Sequence, residues 1–368
     1  MSCPVRTYPL VKPKDHRPPI PRWSLKFPNE ATHVYTAYLG VQWHSKSPAT
    51  IQAALQAIHA TRSWIDNNAS DPSFAFESFN FLDGNDAPSS KVWVCYWAEE
   101  GKYKETLDRL SLAAIFSDLP TDGRTSVGLW CERFSSPLSR LETNYSGLDY
   151  LPGLAKLPGV STEEHSLTAY WGAARDRIPD SAHDLFEQDE DSVQSPAEEL
   201  SGVGQHLVGS NYNNIVHIRS GQFWENCALE ECQAYESKLK PKLEAGLHYI
   251  WENPYLIGAM GLRYLRNTEN GDGMVAEGNS TLKETCAAGF FTSLHSLERW
   301  AKTHPSHLAI YTGAMKHAKV WGAERKFRTW HEVSVLKQGE ANFEYLNCLP
   351  NTGVIRYLPL VDQRDVGF

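Results

Sequence analysis

Runs of β-branched and aromatic residues, separated by amphipathic helical stretches, place the strongest constraint on the fold of this chain. Residues 32–43 (THVYTAYLGVQW) and 91–97 (KVWVCYW) have the composition of strands. Between them, residues 48–65 place apolar side chains at helical spacing. A second helix is predicted over 103–115 and a third strand over 128–134. This order predicts an α+β unit of the ferredoxin-like type.

A similar order of elements follows after about residue 150. The predicted strands cover residues 166–171, 214–219, 262–266, 330–336 and 342–348. The last two strands are expected to pair with each other. The predicted helices cover residues 230–253, with an interruption at Pro241, 291–302 and 306–318. The predicted fold class is α+β, with one compact domain over residues 1–368 made of two ferredoxin-like halves, about 30–150 and 151–368. Their antiparallel sheets would be flanked by helices, as in dimeric α/β-barrels.

Two segments are predicted to lie outside this core. Residues 1–30 form an extended arm, because Pro18, Pro19 and Pro21 prevent a regular helix there. Residues 181–200 are acidic and polar, and we expect them to form a surface excursion.

Charge and cysteine content narrow the function class. A net charge of −9 argues against a nucleic-acid-binding surface, and no apolar run is long enough for a membrane helix. The proline-rich N-terminus does not resemble a signal peptide, so we expect a cytoplasmic protein. Seven cysteines without a CxxC pair favour free thiols over a disulfide framework or zinc ribbon. No CxxCH motif occurs, so any haem would be held without thioether links.

The 12 Trp and 16 Tyr residues allow two interpretations. They either fill a large core with aromatic sheet surfaces, or they line a pocket for a flat aromatic cofactor. Composition alone leaves both interpretations open.

The HPSH segment (304–307) contains the first candidates for chemistry. Pro305 marks a helix start, so His307 is expected in the first turn of that helix. An imidazole there can bind a metal through one nitrogen while the other donates a hydrogen bond. The alternatives are a capping or surface histidine, or half of a zinc site shared with His304, although neighbouring carboxylate and cysteine ligands are lacking.

Three further segments supply polar candidates. His331 begins a strand with apolar neighbours on its own face, where a histidine acts as a general acid or is a hydrogen-bonded core residue. Arg175 and Arg177 flank Asp176, and in an extended segment they would share one face. Either arginine could bind a haem propionate or a substrate oxygen, or form a local ion pair. Ser220 lies at a predicted strand end without a GxSxG elbow, so it is not expected to be a hydrolase nucleophile.

Taken together, four segments resemble the haem-containing aldoxime dehydratases. They are YWGAARDRIP (170–179), IRSGQFW (218–224), LERWAKTHPSH (297–307) and HEVSV (331–335). The resemblance runs from GVQW at 40–43 to FEYLNCLPNTG at 343–353. Several matching motifs in the same order are far more specific than any single one.

The resemblance implies a role for each candidate. His307 matches the family's proximal ligand of the haem iron, and His331 matches its distal histidine. Ser220 and Arg177 match the distal serine and arginine, which hold the substrate oxygen. Glu142, in LETNY, matches a family position to which we assign no role.

The resemblance also implies a cofactor, a reaction and an assembly. The cofactor is haem b, ferrous in the active state and held in a pocket of the second half. The substrate is a small-molecule aldoxime, which a lyase converts to a nitrile and water. Its nitrogen binds the ferrous haem while His331 acts as general acid and base. A homodimer is expected.

Three alternatives remain at this point. They are a haem peroxidase-like or chlorite-dismutase-like enzyme, a haem-binding sensor or carrier, and a zinc hydrolase using His304 and His307. Two positions depart from the family pattern. Leu349 stands where family members carry the His of NCHP, and Arg22 precedes Trp23 where a Met-Trp pair can occur. A change at Arg22 would alter the pocket entrance, and the preference between aliphatic and aryl-aliphatic aldoximes is not predicted.

Overall fold

The computed structural model describes residues 6–188, 201–268 and 282–363. Within these ranges, fourteen strands form one antiparallel sheet. The strands are β1 (Trp23–Lys26), β2 (His33–Trp43), β3 (Phe74–Gly84), β4 (Ser90–Trp97), β5 (Val127–Pro137), β6 (Leu141–Tyr145), β7 (Ser161–Glu164), β8 (His206–Ser210), β9 (Ile215–Phe223), β10 (Ala259–Asn267), β11 (Glu284–Phe291), β12 (Arg328–Leu336), β13 (Ala341–Leu346) and β14 (Val361–Asp362). The helices are α1 (Pro48–Asn68), α2 (Glu100–Asp108), α3 (Leu112–Ser117), α4 (Thr121–Arg124), α5 (Ala173–Arg177), α6 (Leu229–Ala234), α7 (Lys240–Glu252), α8 (Pro254–Ile257), α9 (Leu294–Thr303) and α10 (Pro305–Trp321).

The sheet mixes strands from the two parts of the chain. Its order is β14-β8-β13-β5-β2-β4-β3-β10-β11-β9-β12-β6-β1-β7. Strands from before and after residue 150 are therefore neighbours in the pairs β1 and β7, β3 and β10, β5 and β13, and β6 and β12. The predicted mixture of helices and antiparallel sheet is confirmed, while the division into two ferredoxin-like halves stays a prediction.

The expected pairing of the last two long strands is wrong. β12 has β9 on one edge and β6 on the other, while β13 lies between β5 and β8. A strand has only two hydrogen-bonding edges, so neither strand has an edge left for the other. Proximity in the chain favours a hairpin of β12 and β13, but pairing with distant strands occupies both edges of each strand.

Two predicted elements have a different local structure. Residues 166–171 form turns rather than a strand, because the backbone at Ala169 adopts a positive φ of 63°. The helix predicted over 103–115 is divided into α2 and α3. The Ser111 side chain accepts a hydrogen bond from the backbone N–H of Ala114, which starts the second helix as an N-cap.

The long helix predicted over 230–253 is interrupted close to the expected place. A π-helical turn at Tyr235–Leu239 separates α6 from α7, directly before Pro241. Proline has no backbone N–H to donate, so the preceding turn must rearrange its hydrogen bonds. This rearrangement brings Tyr235 to the wall of a cavity described below.

The N-terminal arm is held against the body of the protein by backbone hydrogen bonds. The N–H groups of Thr7 and Tyr8 donate to the carbonyl of Ala182, and those of Val11 and Lys12 donate to the carboxylate of Asp176. The segment 181–200 was predicted to be an acidic surface excursion, but its described part is partly buried. Residues 181–188 include buried Ala182 and Phe186, and 189–200 lie outside the described residues.

Helices cover two regions of the sheet. Apolar side chains of α1 and α3 pack on β2, β4 and β5 in one core cluster. Those of α7 and α9 pack on β9, β10 and β11 in another. No helix in the described part of the chain is long and apolar enough to cross a membrane.

Candidate active site

A cavity of about 850 Å³ lies between the sheet and the helices α7, α9 and α10. Apolar side chains from these helices, such as Leu247, Leu294 and Trp300, form one wall. The opposite wall is the face of β6, β9, β11 and β12. The N-terminal arm closes a third side through Pro19 and Ile20, while Arg22, directly before β1, extends the sheet wall. Ligand pockets commonly enclose about 300–1,000 Å³, so this cavity has room for a large cofactor.

Strand register places the polar residues of the sheet wall side by side. His331 of β12 lies opposite Ser220 of β9 and opposite Asn144 of β6. Directly paired residues of antiparallel strands project from the same face, so all three face the cavity. Glu142 lies opposite Val333, two residues further along β12, and belongs to the same face. Ser220 is in the middle of β9, not at a strand end as its sequence context predicted.

Glu142, Arg177 and His331 form a closed hydrogen-bonded cluster on this wall. The Arg177 Nε lies 2.9 Å from Glu142 Oε2, and its Nη2 lies 3.1 Å from Oε1. The His331 Nε2 lies 3.0 Å from Arg177 Nη2 and 2.9 Å from Glu142 Oε1. The same imidazole nitrogen can therefore accept from the guanidinium when neutral or donate to the carboxylate when protonated.

The charge state of Glu142 follows from its partners. Burial alone would raise the pKa of Glu142, but the charges of Arg177 and His331, with their hydrogen bonds, lower it to about 2. A carboxylate in this position is ionised, and its negative charge faces the His331 ring and the Arg177 guanidinium. Sequence analysis noted Glu142 but assigned it no role. The available signal was a charged residue inside LETNY, a strand in which all five residues are buried.

The RDR segment adopts a helical turn instead of the predicted extended structure. In α5, Arg177 points to Glu142, while Arg175 binds Glu298 at 2.7 Å. The local ion pair considered for this segment is therefore replaced by pairs with distant glutamates. Asp176 instead accepts hydrogen bonds from the arm and from the Tyr170 hydroxyl at 2.8 Å. The segment thus anchors the arm and positions one arginine in the site.

His307 reaches the cavity from the helix wall, in the first turn of α10 as predicted. Its ring contacts that of Trp300 edge-on at 4.8 Å between centroids. The Nδ1 atom is buried. Burial lowers the pKa of His307, which favours the neutral imidazole that a metal requires. Trp171 adds a second ring contact, at 6.2 Å.

His304 has a different environment. Its Nδ1 accepts a hydrogen bond from the backbone N–H of Ser306, so it caps α10, and its ring lies 3.9 Å from that of Tyr249. Within the described ranges, no three His, Cys, Asp or Glu side chains are placed to hold a metal ion together. The alternative of a zinc site at His304 and His307 therefore lacks the ligands it needs.

The heavy aromatic content serves both of the uses considered above. Trp93, Trp97 and Trp130 are fully buried in the sheet core. Trp171 and Trp300 line the cavity instead. An apolar and aromatic cavity into which the neutral His307 ring projects fits a flat, metal-containing cofactor. Fold and cavity together define a site that could hold haem, with Glu142, Arg177 and His331 on the sheet wall and His307 on the helix wall.

Comparison with known proteins agrees with this site. Residues 37–354 match the family model of haem-containing dehydratases. The aliphatic aldoxime dehydratase of Pseudomonas chlororaphis is 30% identical over 363 residues, covering 97% of this chain and 96% of that protein. The phenylacetaldoxime dehydratase of Bacillus sp. (strain OxB-1) is 28% identical over 352 residues, covering 95% of each.

A solved structure shares the fold over nearly the whole chain. The crystal structure of an aldoxime dehydratase in complex with butyraldoxime aligns with a TM-score of 0.79 and 27% identity. The alignment covers 96% of this chain and 93% of that one. The chain belongs to the family of haem-containing dehydratases. The predicted family and its haem cofactor are thereby confirmed.

Proposed function

We propose that this protein removes water from aldoximes to give nitriles, R–CH=N–OH becoming R–C≡N and H₂O. One observation carries the proposal. The cluster of Glu142, Arg177 and His331, with Ser220 beside it, lies across one cavity from His307. The activities named for the aldoxime dehydratases most similar to this chain support the same reaction.

The cofactor would be held by His307, whose neutral ring projects into the cavity. When bound, ferrous haem b would supply an electron-rich iron centre for the oxime nitrogen. The remaining chemistry belongs to the residues on the sheet wall. Their work is to protonate the departing oxygen and to remove the proton on the oxime carbon.

His331 is the proton donor and acceptor in this proposal. Protonated, it would give its Nε2 proton to the oxime hydroxyl, so that water rather than hydroxide leaves. The ionised Glu142 would favour the cationic form of the ring before the transfer. After the transfer, the neutral Nε2 would take the proton from the oxime carbon, and the histidine would regain its starting state.

Ser220 and Arg177 would position the departing oxygen. The Ser220 hydroxyl lies on the cavity face directly beside His331, where it can donate a hydrogen bond to that oxygen. Arg177 is already bonded to Glu142 and to the carbonyl of Leu167, so its guanidinium is held rigidly. A preorganised donor stabilises charge that develops on the oxygen without reorganising during the reaction.

The test is a spectrum of the dithionite-reduced protein with and without phenylacetaldoxime, followed by nitrile analysis. We expect the Soret band to shift on addition of aldoxime and nitrile to form without peroxide. A peroxidase-like enzyme would need peroxide for turnover. A haem sensor would show a shift without any nitrile. Either result would contradict the proposal.

The finer points of architecture and assembly are also proposals. We infer one haem-binding domain of two ferredoxin-like halves, with the pocket formed mainly by the second. We infer a homodimer from the family resemblance, which analytical ultracentrifugation would test. The free cysteines of the described residues, such as buried Cys95 and Cys131, are compatible with a reducing cytoplasm.

A further inference from the structure

Arg22 lies on the cavity wall at the start of β1. Its carbonyl accepts a hydrogen bond of 3.0 Å from the backbone N–H of His165, which fixes the backbone at this point. The next residue, Trp23, pairs with Tyr145 of β6, and Tyr145 pairs with Trp330 of β12. Arg22 therefore belongs to the wall that carries the acid–base cluster, not to the helix wall that carries His307.

The Arg22 guanidinium has no counter-ion in the part of the chain that the structure describes. Its side chain forms no hydrogen bond or ion pair there, and Nη1 is buried without a partner. Burial, followed by repulsion from Arg325, Arg177 and Arg328, lowers the pKa of Arg22 to about 9. Tyr311 is the neighbouring group that acts in the opposite direction.

Three other arginines in or near the sheet are paired with carboxylates. Arg219 binds Glu77 at 2.6 Å, and Arg263 binds Glu132 at 2.6 Å. Arg177, which shares the cavity with Arg22, binds Glu142 at 2.9 Å. A buried charge without a partner is strongly unfavourable, and pairing with hydrogen bonds is the usual compensation. Arg325 also lacks an ion pair among the described residues, but it packs on the Phe327 ring at 5.2 Å and does not line the cavity. Arg22 does line the cavity, and it therefore marks a place where a ligand can supply the negative charge.

We propose that Arg22 binds a carboxylate on the R group of the aldoxime, so that the substrates of this protein include carboxylate-bearing aldoximes. This inference rests on the proposed function. A guanidinium presents two parallel N–H donors that match the two oxygens of a carboxylate. A haem propionate offers the same chemistry. We assign the substrate because Arg22 shares its wall with His331 and Arg177, where the substrate would be held.

The test compares binding of two matched series of ligands to the ferrous holoprotein. One series is ω-carboxylate aldoximes of increasing chain length, and the other is the n-alkyl aldoximes of equal length. Dissociation constants are read from the shift of the Soret band. In the wild type, the best carboxylate should bind at least about tenfold more tightly than its neutral match. Arg22→Met, which has similar length and no charge, should abolish this preference, and Arg22→Lys should keep part of it.

A second arm separates the two sources of carboxylate. Apoprotein of the wild type and of Arg22→Met is titrated with haem and with haem dimethyl ester. If Arg22 binds a carboxylate of the substrate, the wild type and Arg22→Met should have the same affinity for haem. They should also have the same affinity as each other for haem dimethyl ester. If Arg22→Met weakens native haem binding alone, the carboxylate belongs to the cofactor and the substrate assignment is overturned.

The remaining outcomes are also decisive. A wild type that binds both aldoxime series equally well would overturn the role of Arg22, even if it makes nitrile from the neutral series. Failure to make nitrile from any aldoxime would contradict the proposed function instead. The two failures are distinguishable because binding and product are measured separately.

Discussion

The sheet beneath the cavity carries one charge cluster on each face, and the two clusters differ in access. His331 and Glu332 are consecutive residues of β12, so their side chains project to opposite faces. On the cavity face, His331 is 28% exposed and lies 2.9 Å from Glu142. On the other face, Glu332 lies opposite fully buried Arg219, which pairs with Glu77. β12 thus contributes His331 to a site open to ligands and Glu332 to a sealed ionic cluster.

The sealed cluster shifts the pKa values of two carboxylates in opposite directions. Burial alone would raise the pKa of Glu77, but the charges of Arg219 and Lys156 lower it to about 2. Burial raises the pKa of Glu332 to about 7, and its Oε1 accepts hydrogen bonds from the Leu154 N–H and the Tyr145 hydroxyl. Similar residue types therefore form a buried ionic cluster on one face of the sheet and, on the cavity face, the cluster to which we assign proton transfer in the proposed function.

The largest effect is expected for His307, on the helix wall that encloses the cavity opposite the sheet. His307→Ala should purify largely without haem, because it removes the neutral imidazole that projects into the cavity. His304→Ala is the matched control and should retain haem, since His304 caps α10. The ratio of Soret to protein absorbance measures both. Equal loss in the two variants, or loss in neither, would exclude this assignment.

His331→Ala should separate chemistry from stability. Loss of a proton donor costs roughly 10²–10⁴-fold in rate, so kcat should fall by that amount while haem and aldoxime still bind. Glu332→Gln, on the same strand but the sealed face, is the control and should change kcat by only a few-fold. Steady-state nitrile formation gives both values. A near wild-type rate in His331→Ala would remove this residue from the mechanism.

Arg219→Met should act on stability. Removing one partner of a buried ion pair costs about 3–5 kcal/mol, because Glu77 would be left charged and unpaired. The double variant with Glu77→Gln should recover part of the loss. Urea unfolding of the holoprotein measures the free energy of unfolding in each case. A single variant as stable as the wild type would show that the sealed cluster does not stabilise the fold.

The protonation states of the sealed cluster predict a pH dependence of stability. The pKa of Glu332 is raised from 4.5 to about 7. Between these values the unfolded chain ionises and the folded one does not, so stability falls as pH rises from 4.5 through 7. The loss should be ~3 kcal/mol. Glu332→Gln should lack this loss in urea unfolding at a series of pH values, and parallel curves for the two proteins would contradict it.

The smallest effect is expected at Ser220. Ser220→Ala removes one hydrogen bond to the departing oxygen, worth about 0.5–1.5 kcal/mol, so kcat/KM should fall about 2- to 13-fold. Ser220→Thr keeps a hydroxyl and should retain most of the activity. Nitrile formation at low aldoxime concentration measures kcat/KM directly. An unchanged value in Ser220→Ala would show that this hydroxyl does not contact the substrate.

Much of the site was predictable from short stretches of sequence. Pro305 predicted the helix start that places His307 in a first turn, and alternation along 331–335 predicted which face of β12 carries His331. Such features depend on local backbone geometry, which nearby residues determine. Their sequence motifs also identified the family.

Only the tertiary structure decided which residues meet. Glu142 and Arg177 lie 35 positions apart, and Arg177 and His331 lie 154 apart, so their contacts depend on strand register and on the turn in α5. The same long-range pairing left β12 and β13 apart although they are neighbours in sequence. It also left Arg22 on the cavity wall without a carboxylate partner among the described residues. Local sequence sets the propensity of a segment and the face of each side chain, whereas contacts between distant segments depend on packing of the whole chain.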